Sequence, residues 1–167
     1  VTSIGEYFFY NCFELTTITI GKNLSSIGDE SFQNCENLKY IKVSEENSNF
    51  IFYEGSFYTY NKSVLLTVLP KYFDQKIESF YILDTVSSVY SGAFFNCKDL
   101  ISFEVSKNNT FFSTFDGALY SKNYSSLILV PKGKSTIILH EDLTLIKSKS
   151  FDNNANINKI IIQENVK

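Results

Sequence analysis

The apolar positions of the chain recur at fixed offsets along its whole length. The spacing Ile-x4-Phe-x-Asn-Cys-x2-Leu-x2-Ile-x-Val, best seen in segment 27–43, occurs four times. Its other copies start at Ile4, Val89 and Ile146 and replace some of these residues by similar ones. Matches at so many positions indicate a repeat protein. In such a protein each repeat forms one coil of a stack and buries its apolar face against the next coil.

A second, longer pattern also occurs twice. The aromatic-rich segment around Glu54-Gly55 ends at Pro70, and its copy around Asp116-Gly117 ends at Pro131. An acidic residue followed by Gly between such runs predicts a β-hairpin. Proline is tolerated where a strand ends. The sequence therefore predicts short coils that alternate with longer coils, each of which carries a hairpin.

The last part of each repeat alternates apolar and polar residues, as a strand with one buried face does. We expect these strands to run parallel as one sheet of about six strands, with short helical or 3-10 turns on the opposite face. Leu24, Val86 and Leu143 predict a second short extended segment in their coils. The fold class is thus a mostly-β solenoid. The six predicted strands are Ile18–Ile20, Ile41–Val43, Phe80–Ile82, Phe103–Val105, Ile137–Leu139 and Ile160–Ile162.

Two columns of the repeat are predicted to fill the interior, a Phe column opposite the sheet and a Cys column that faces inward. A zinc site needs four converging ligands, usually with a Cys-x2–4-Cys pair, and the sequence has no such pair. Equivalent cysteines on adjacent coils point the same way, which disfavours a disulfide. We therefore predict structural thiols, no metal and no cofactor. The residues of the two columns are Phe9, Phe32, Phe94, Phe151, Cys12, Cys35 and Cys97.

The motif Ile-Gly-x3-Phe-x-Asn-Cys-x2-Leu-x2-Ile-x-Val of segment 27–43 resembles the BspA-like, or Treponema-type, leucine-rich repeats. The insert 116–122, followed by Leu127 and Pro131, is similar to a recurrent feature of that family. The resemblance covers essentially the whole chain, with local departures such as Asn154 in place of Cys. It implies a leucine-rich repeat solenoid, a surface or secreted location, attachment to host or neighbouring-cell proteins, and no catalytic residue set.

Residues 1–167 are expected to form a single leucine-rich repeat domain. Val1 and Val166 both occupy the repeat position of Leu24, and the chain contains no Met. We therefore expect a fragment of a longer protein that starts and ends partway through a repeat.

Charge and composition exclude several classes of function. The net charge of −3 gives no electrostatic reason to expect a nucleic acid partner. No apolar run approaches the ~18–20 residues of a membrane span, so this segment is not expected to insert into a membrane. His140 is the only histidine, and no Gly-x-Ser-x-Gly nucleophile motif accompanies it. The sequence therefore predicts that the protein is not an enzyme.

The outward face of the predicted sheet remains as the candidate functional site. Tyrosines there are typical anchors of protein interfaces, and exposed isoleucines on adjacent coils suggest an interaction surface. The same residue types also favour strand formation without any binding role. We predict a protein-binding module of an adhesin-like surface or secreted protein, with a structural spacer and a glycan receptor as alternatives. The predicted binding residues are Tyr40, Lys42, Tyr81, Glu104, Ile138, Lys159 and Ile161.

Overall fold

A computed structural model describes residues 1–73, 75–164 and 166. The chain divides into two compact units, Val1–Lys76 with Ser88–Cys97 and Ile77–Ser87 with Lys98–Lys167. Both units consist mostly of β-structure and turns, and a 3-10 helix at Pro70–Tyr72 is the only helix in the described residues. Numbered along the chain, the strands are β1 (Ser3–Ile4), β2 (Thr17–Ile20), β3 (Ser26–Ile27), β4 (Tyr40–Val43), β5 (Phe50–Tyr53), β6 (Ser56–Thr59), β7 (Val64–Val68), β8 (Ser79–Ile82), β9 (Ser88–Val89), β10 (Ser102–Val105), β11 (Phe112–Phe115), β12 (Ala118–Ser121), β13 (Ser126–Leu129), β14 (Thr136–Ile138), β15 (Leu145–Ile146) and β16 (Lys159–Ile161).

Successive coils of the first unit are joined by parallel strand pairs on two sides. Strand β2 pairs with β4, in the register that places Thr17 opposite Tyr40, and β1 pairs with β3. The longer coil adds the antiparallel strands β5, β6 and β7, and β7 pairs in parallel with β9. The hairpin predicted around Glu54-Gly55 is therefore present and carries a third strand.

The second unit repeats this arrangement. Strand β8 pairs in parallel with β10, and β14 pairs in parallel with β16. The antiparallel strands β11, β12 and β13 form the second hairpin-bearing coil, and β13 pairs in parallel with β15. The short strands β3, β9 and β15 begin two residues after Leu24, Val86 and Leu143, as the second extended segment predicts.

The six predicted repeat strands are all present, but they pair two by two and do not form the single continuous sheet that we predicted. The second hairpin shows the reason within its own unit. The N–H of Phe103 in β10 donates to the Gly117 carbonyl (2.9 Å), and the N–H of Ile138 in β14 donates to the Asp116 carboxylate (2.7 Å). The hairpin tip thus accepts a backbone N–H from each strand, and β10 and β14 do not pair with each other.

The segments that carry Phe-x-Asn-Cys are chains of tight turns closed by bonds to the carbonyl three residues back, as in a 3-10 turn, but they do not continue as helices. Cys35 N–H donates to the Phe32 carbonyl and Leu38 N–H to the Cys35 carbonyl, each three residues back. Glu30 and Asn34 both have φ of +60°. Because a right-handed helix requires successive residues with negative φ, a left-handed residue every few positions ends each helical turn at once.

Each unit has its own apolar core. In the first unit Phe32, Phe94, Cys35 and Cys97 are buried, whereas Phe9 and Cys12 are half-buried. The rings of Phe9 and Phe32 stack with centroids 5.7 Å apart. In the second unit, half-buried Phe151 packs against a core that contains Tyr120, Ile137 and Leu139.

Candidate functional site

The outward strand face of the first unit carries Tyr40 and Lys42 on β4. Ile41 between them is fully buried, so the alternation of the strand points both neighbours to solvent. Tyr40 lies opposite Thr17 and Lys42 lies opposite Thr19 on β2. Tyr40 is 45% exposed. The face therefore presents one aromatic ring, one ammonium group and two hydroxyls on a regular parallel strand pair.

The Tyr40 ring is the first member of a run of four aromatic rings, which we call the aromatic row: Tyr40, Phe52, Tyr72 and Phe73. Each ring meets the next edge to face, with centroids 5.0, 5.5 and 5.4 Å apart. The members come from β4, from β5 of the hairpin, and from the 3-10 helix with the residue after it. Among the predicted binding residues only Tyr40 belongs to the row, so the sequence analysis missed its other three members.

The tip of the first hairpin explains how Tyr72 and Phe73 are placed. Gly55 has φ of +74°, and a Cβ there would lie 2.6 Å from a Phe73 ring atom and 2.7 Å from a Tyr72 ring atom. The two rings thus pack directly on the backbone of the turn. Only glycine satisfies both the left-handed backbone and this close approach.

The charged side chains next to the aromatic row are mostly lysines. Lys39 and Lys42 flank Tyr40 in sequence, Lys71 precedes Tyr72, and all three are exposed. Glu54 follows β5, and its carboxylate accepts a hydrogen bond from the Tyr53 hydroxyl, which raises the pKa of Tyr53. Asp74 also follows Phe73 in sequence, so the neighbours of the row along the chain are three lysines and two acidic residues, although the chain has a net charge of −3.

The second unit has a polar strand face on β8 and β10. Tyr81 is 53% exposed and lies opposite Glu104, which is also exposed. The Ser79 hydroxyl donates a hydrogen bond of 2.8 Å to the Glu104 carboxylate. Tyr81 and Glu104 are the only two predicted binding residues that this pair of strands brings together.

The remaining predicted residues lie on β14 and β16. Ile138 and Ile161 are opposite each other and half-buried, and exposed Lys159 is opposite Thr136. Ile160 was predicted to face inward, but it is 46% exposed, because no described strand covers that side of β16. The predicted site is therefore distributed over three separate strand pairs.

The titratable side chains outside these faces have ordinary structural contacts. The His140 ring stacks on Tyr124 at 4.0 Å, and its Nδ1 accepts the Asp142 N–H at 3.1 Å. No disulfide joins the three cysteines, all of which are described. The Cys35 thiol donates to the Phe9 carbonyl, and burial raises the pKa of this thiol to about 11.

Neither a cluster of metal ligands nor a membrane-spanning helix occurs in the part of the chain that the structure describes. No three His, Cys, Asp or Glu side chains come together there as a metal site. None of its helices has the length and apolar character needed to cross a membrane.

Comparison with solved structures identifies several leucine-rich repeat proteins of the same fold. A leucine-rich repeat protein from Eubacterium ventriosum is 22% identical, with a TM-score of 0.61 over 99% of this chain and 46% of that one. A leucine-rich cell surface protein from Faecalibacterium prausnitzii is also 22% identical, with a TM-score of 0.54 over 98% of this chain and 52% of that one. The pneumococcal vaccine antigen PcpA is 21% identical, with a TM-score of 0.53 over 92% of this chain and 35% of that one. The chain thus spans about half or less of the length of these proteins.

Comparison of the sequence gives the family. Among curated proteins no significant match to the chain was found. The BspA-type leucine-rich repeat region matches in six copies over residues 2–123 and 71–167, which together cover nearly the whole chain. The repeats, the parallel strand pairs and this match agree, and the chain belongs to the family of BspA-type leucine-rich repeat proteins.

Proposed function

We propose that the chain is a protein-binding module of a surface-exposed or secreted protein, with an adhesin-like role in attachment to host or neighbouring-cell proteins. The observation that carries the proposal is the exposure of Tyr40 and Tyr81, each about half accessible on a regular strand pair. Tyrosine supplies a large contact area and a polar tip, and it is enriched among residues that dominate binding energies. The proposal requires neither catalysis nor a cofactor.

Two proteins of the same fold support the location. One is described as a pneumococcal vaccine antigen and the other as a leucine-rich cell surface protein. The cell surface location in the second description supports a surface-exposed or secreted location for a chain of this fold.

A binding panel tests the proposal. The chain is immobilised and exposed to purified extracellular-matrix and cell-surface proteins, and binding is followed by interferometry. We expect a saturable interaction that is weakened at least ~10-fold when Tyr40, Tyr81, Ile138 and Ile161 are changed together to Ser. The matched control is Tyr60→Ser, because Tyr60 is an exposed tyrosine outside the repeat strands.

Each outcome of the panel has one meaning. Equal affinity of the fourfold variant and the wild type would reject the strand faces as the binding site. A chain that binds no protein of the panel would favour a structural spacer, and retention by glycans alone would favour a glycan receptor. Denaturation of the variant, measured in urea, separates lost contacts from lost folding, since Ile138 and Ile161 are half-buried.

A further inference from the structure

The aromatic row concentrates apolar surface at one place on the first unit. Tyr40 is 45% and Tyr72 40% exposed, and half-buried Phe52 lies between them. Neither tyrosine hydroxyl has a hydrogen-bond partner among the described residues. Both hydroxyls are therefore available to a ligand as donors and acceptors.

The second hairpin-bearing coil shows that the fold does not require the row. With an offset of 62, which falls to 61 after the one-residue deletion before Pro131, Tyr40, Phe52, Tyr72 and Phe73 correspond to Ser102, Thr114, Gly133 and Lys134. There the Lys134 ammonium pairs with Asp116 of the turn at 3.1 Å. The same coil is thus completed once by four rings and once by small polar residues with an ion pair.

Packing on the turn explains only part of the row. Phe73 and one edge of Tyr72 cover Gly55, which is a structural contact. The exposed surface of Tyr40 and the remainder of Tyr72 have no such role. An exposed cluster of large aromatic residues in a protein of this size is a common mark of an interaction site.

The charge next to the row selects the kind of partner. Along the chain, Lys39, Lys42 and Lys71 outnumber the two acidic neighbours of the row, Asp74 and Glu54, and Glu54 is already hydrogen-bonded to Tyr53. Lys42 and Lys71 have no ion-pair partner in the described part of the chain. A partner with carboxylates would supply the complementary charge, and the tyrosine hydroxyls would donate to the same groups.

We propose that the aromatic row is a docking site for an extended acidic peptide segment of a partner protein. This inference rests on the proposed protein-binding function and names the chemistry of its partner. Centroid separations of 5.0 and 5.5 Å on either side of Phe52 put Tyr40 and Tyr72 at most roughly 10 Å apart. That span equals about three residues of extended chain at ~3.3 Å each.

The shape of the row favours a peptide over a glycan. Each edge-to-face contact covers part of one ring face with the edge of its neighbour, since the interplanar angles are 76° to 83°. The result is a stepped run of rings, which suits the short side chains of an extended peptide. A sugar ring would instead require a broad, open ring face.

A peptide array tests the inference. The array contains short synthetic peptides that differ in two properties. The fraction of Asp and Glu ranges from none to about half, and each composition is made with and without Tyr, Phe or Pro. An array of neutral and carboxylate-bearing glycans is the second arm. We expect the chain to retain acidic peptides, and Tyr40→Ser with Tyr72→Ser to weaken the best of them at least ~10-fold. The matched control is Ser102→Ala with Thr114→Ala in the second coil, which should leave binding unchanged.

Every result decides the question. Retention of neutral peptides as strongly as acidic ones, an unchanged affinity in the double tyrosine variant, or retention of glycans only would each overturn the inference. If the chain binds a purified protein of the panel and the double tyrosine variant binds it equally well, the inference fails while the proposed function stands. Unchanged urea denaturation of the variant excludes unfolding as the cause of a loss, because both tyrosines lie at the surface.

Discussion

Gly117 occupies the turn of the second hairpin, where backbone conformation and space both exclude a side chain. Its φ is +75°, and a Cβ would lie 2.9 Å from the Ile101 carbonyl oxygen and 3.3 Å from the Ser102 Cβ. Glycine is the only residue that adopts this conformation without strain. The carbonyl of Gly117 also accepts the Phe103 N–H, so a displaced turn would loosen β10.

We therefore expect Gly117→Ala to lower the free energy of unfolding by about 1–3 kcal/mol, from backbone strain together with the close contact. The matched control is Gly21→Ala, because a Cβ at Gly21 meets nothing within 4 Å. That change should stay within about 0.5 kcal/mol of the wild type. Urea denaturation followed by circular dichroism measures both, and equal stability of the two variants would show that the turn relaxes without cost.

Cys35 should be the less reactive of the two cysteines in the first two repeats. It is buried, its thiol donates to the Phe9 carbonyl, and its pKa rises from 9.0 to about 11. Because the thiolate is the reactive form, both burial and the raised pKa slow alkylation. We expect iodoacetamide to label half-buried Cys12 well before Cys35 in the folded protein, as peptide mass spectrometry would show. Equal rates for the two residues in urea provide the control, and equal rates in the native state would contradict the prediction.

The raised pKa of Cys35 also has a defined effect on stability. The thiol ionises more readily in the unfolded chain, so its contribution is complete below about pH 9 and is lost as the pH rises toward about 11. Tyr58 adds to the same trend, because burial raises its pKa to about 12. Urea midpoints should accordingly fall over this range, and they should fall less in Cys35→Ala. A parallel decline in the two proteins would assign the effect to other groups.

At the scale of elements, a buried asparagine connects the hairpin of each longer coil to the coil before it. Asn109 is 1% exposed, and its amide donates to the carbonyls of Leu83 and Val86 while its side-chain oxygen accepts the N–H groups of Phe111 and Phe112. Asn47 makes the equivalent contacts in the first unit. One side chain thus satisfies the backbone of the preceding coil and the start of the hairpin.

Replacement of this asparagine should be costly. Asn109→Ala removes one partner from each of two carbonyls and two N–H groups, of which the Leu83 carbonyl keeps the Val86 N–H at 3.3 Å, and we expect a loss of about 3 kcal/mol in the free energy of unfolding. Asn108→Ala is the matched control, since its side chain is exposed and the neighbouring backbone is unchanged. Chemical denaturation of both variants checks the difference. A loss below about 1 kcal/mol in Asn109→Ala would mean that water replaces the amide.

Much of the fold was predictable because equivalent positions of the repeat carry similar apolar or polar residues, which indicates whether each position is buried or exposed. The alternation at Ile41 or Phe103 indicates a strand with one buried face, and the Glu54-Gly55 and Asp116-Gly117 pairs indicate a hairpin turn. The division of the strands into pairs was not predictable. It depends on the position of the turn at Asp116 and Gly117 next to β10 and β14. That position is a tertiary contact, which the spacing of apolar residues does not indicate. Of the left-handed residues, Glu30 is an ordinary residue type that gives no signal of its conformation. Asn34 belongs to the Asn column of the repeat, and Asn adopts positive φ more readily than most residues, so that column was a signal that the sequence analysis did not use.

The candidate site was predictable only in part. Strand alternation assigns Tyr40 and Tyr81 to the outward face, and both are exposed. The partners of Tyr40 are separated from it by the hairpin, so its spacing within β4 cannot indicate them. A position-by-position comparison of the two longer coils would have found them, because Phe52 and Tyr72 stand where the second coil has Thr114 and Gly133.

For the whole molecule, the two longer coils share the same strand arrangement but differ in the side chains that they expose. In the second coil a Cβ at Gly133 would lie 2.9 Å from the Asp99 backbone, so that position has no room for the ring that Tyr72 supplies in the first. The aromatic and lysine side chains at the first coil then form a locally positive region on a chain with a net charge of −3. The net charge of the chain therefore repels an acidic ligand at long range, whereas the lysines beside the aromatic row attract it locally.

This opposition predicts the salt dependence of binding. The Debye length at physiological ionic strength is ~8 Å, so charges adjacent to a bound ligand dominate over the rest of the chain. We expect the affinity for an acidic peptide to fall as NaCl rises from about 0.05 M to about 0.5 M, because screening weakens the attraction to Lys42 and Lys71. Charge reversal by Lys42→Glu with Lys71→Glu should weaken binding at low salt and invert the dependence of affinity on salt, since local and overall charge then repel the peptide together.

The control is Lys107→Glu with Lys147→Glu, which alters the net charge equally in the second unit and should preserve the sign of the wild-type salt dependence. Titration calorimetry at several salt concentrations measures all three proteins, and slopes that depend only on net charge would show that the lysines beside the aromatic row do not contact the ligand.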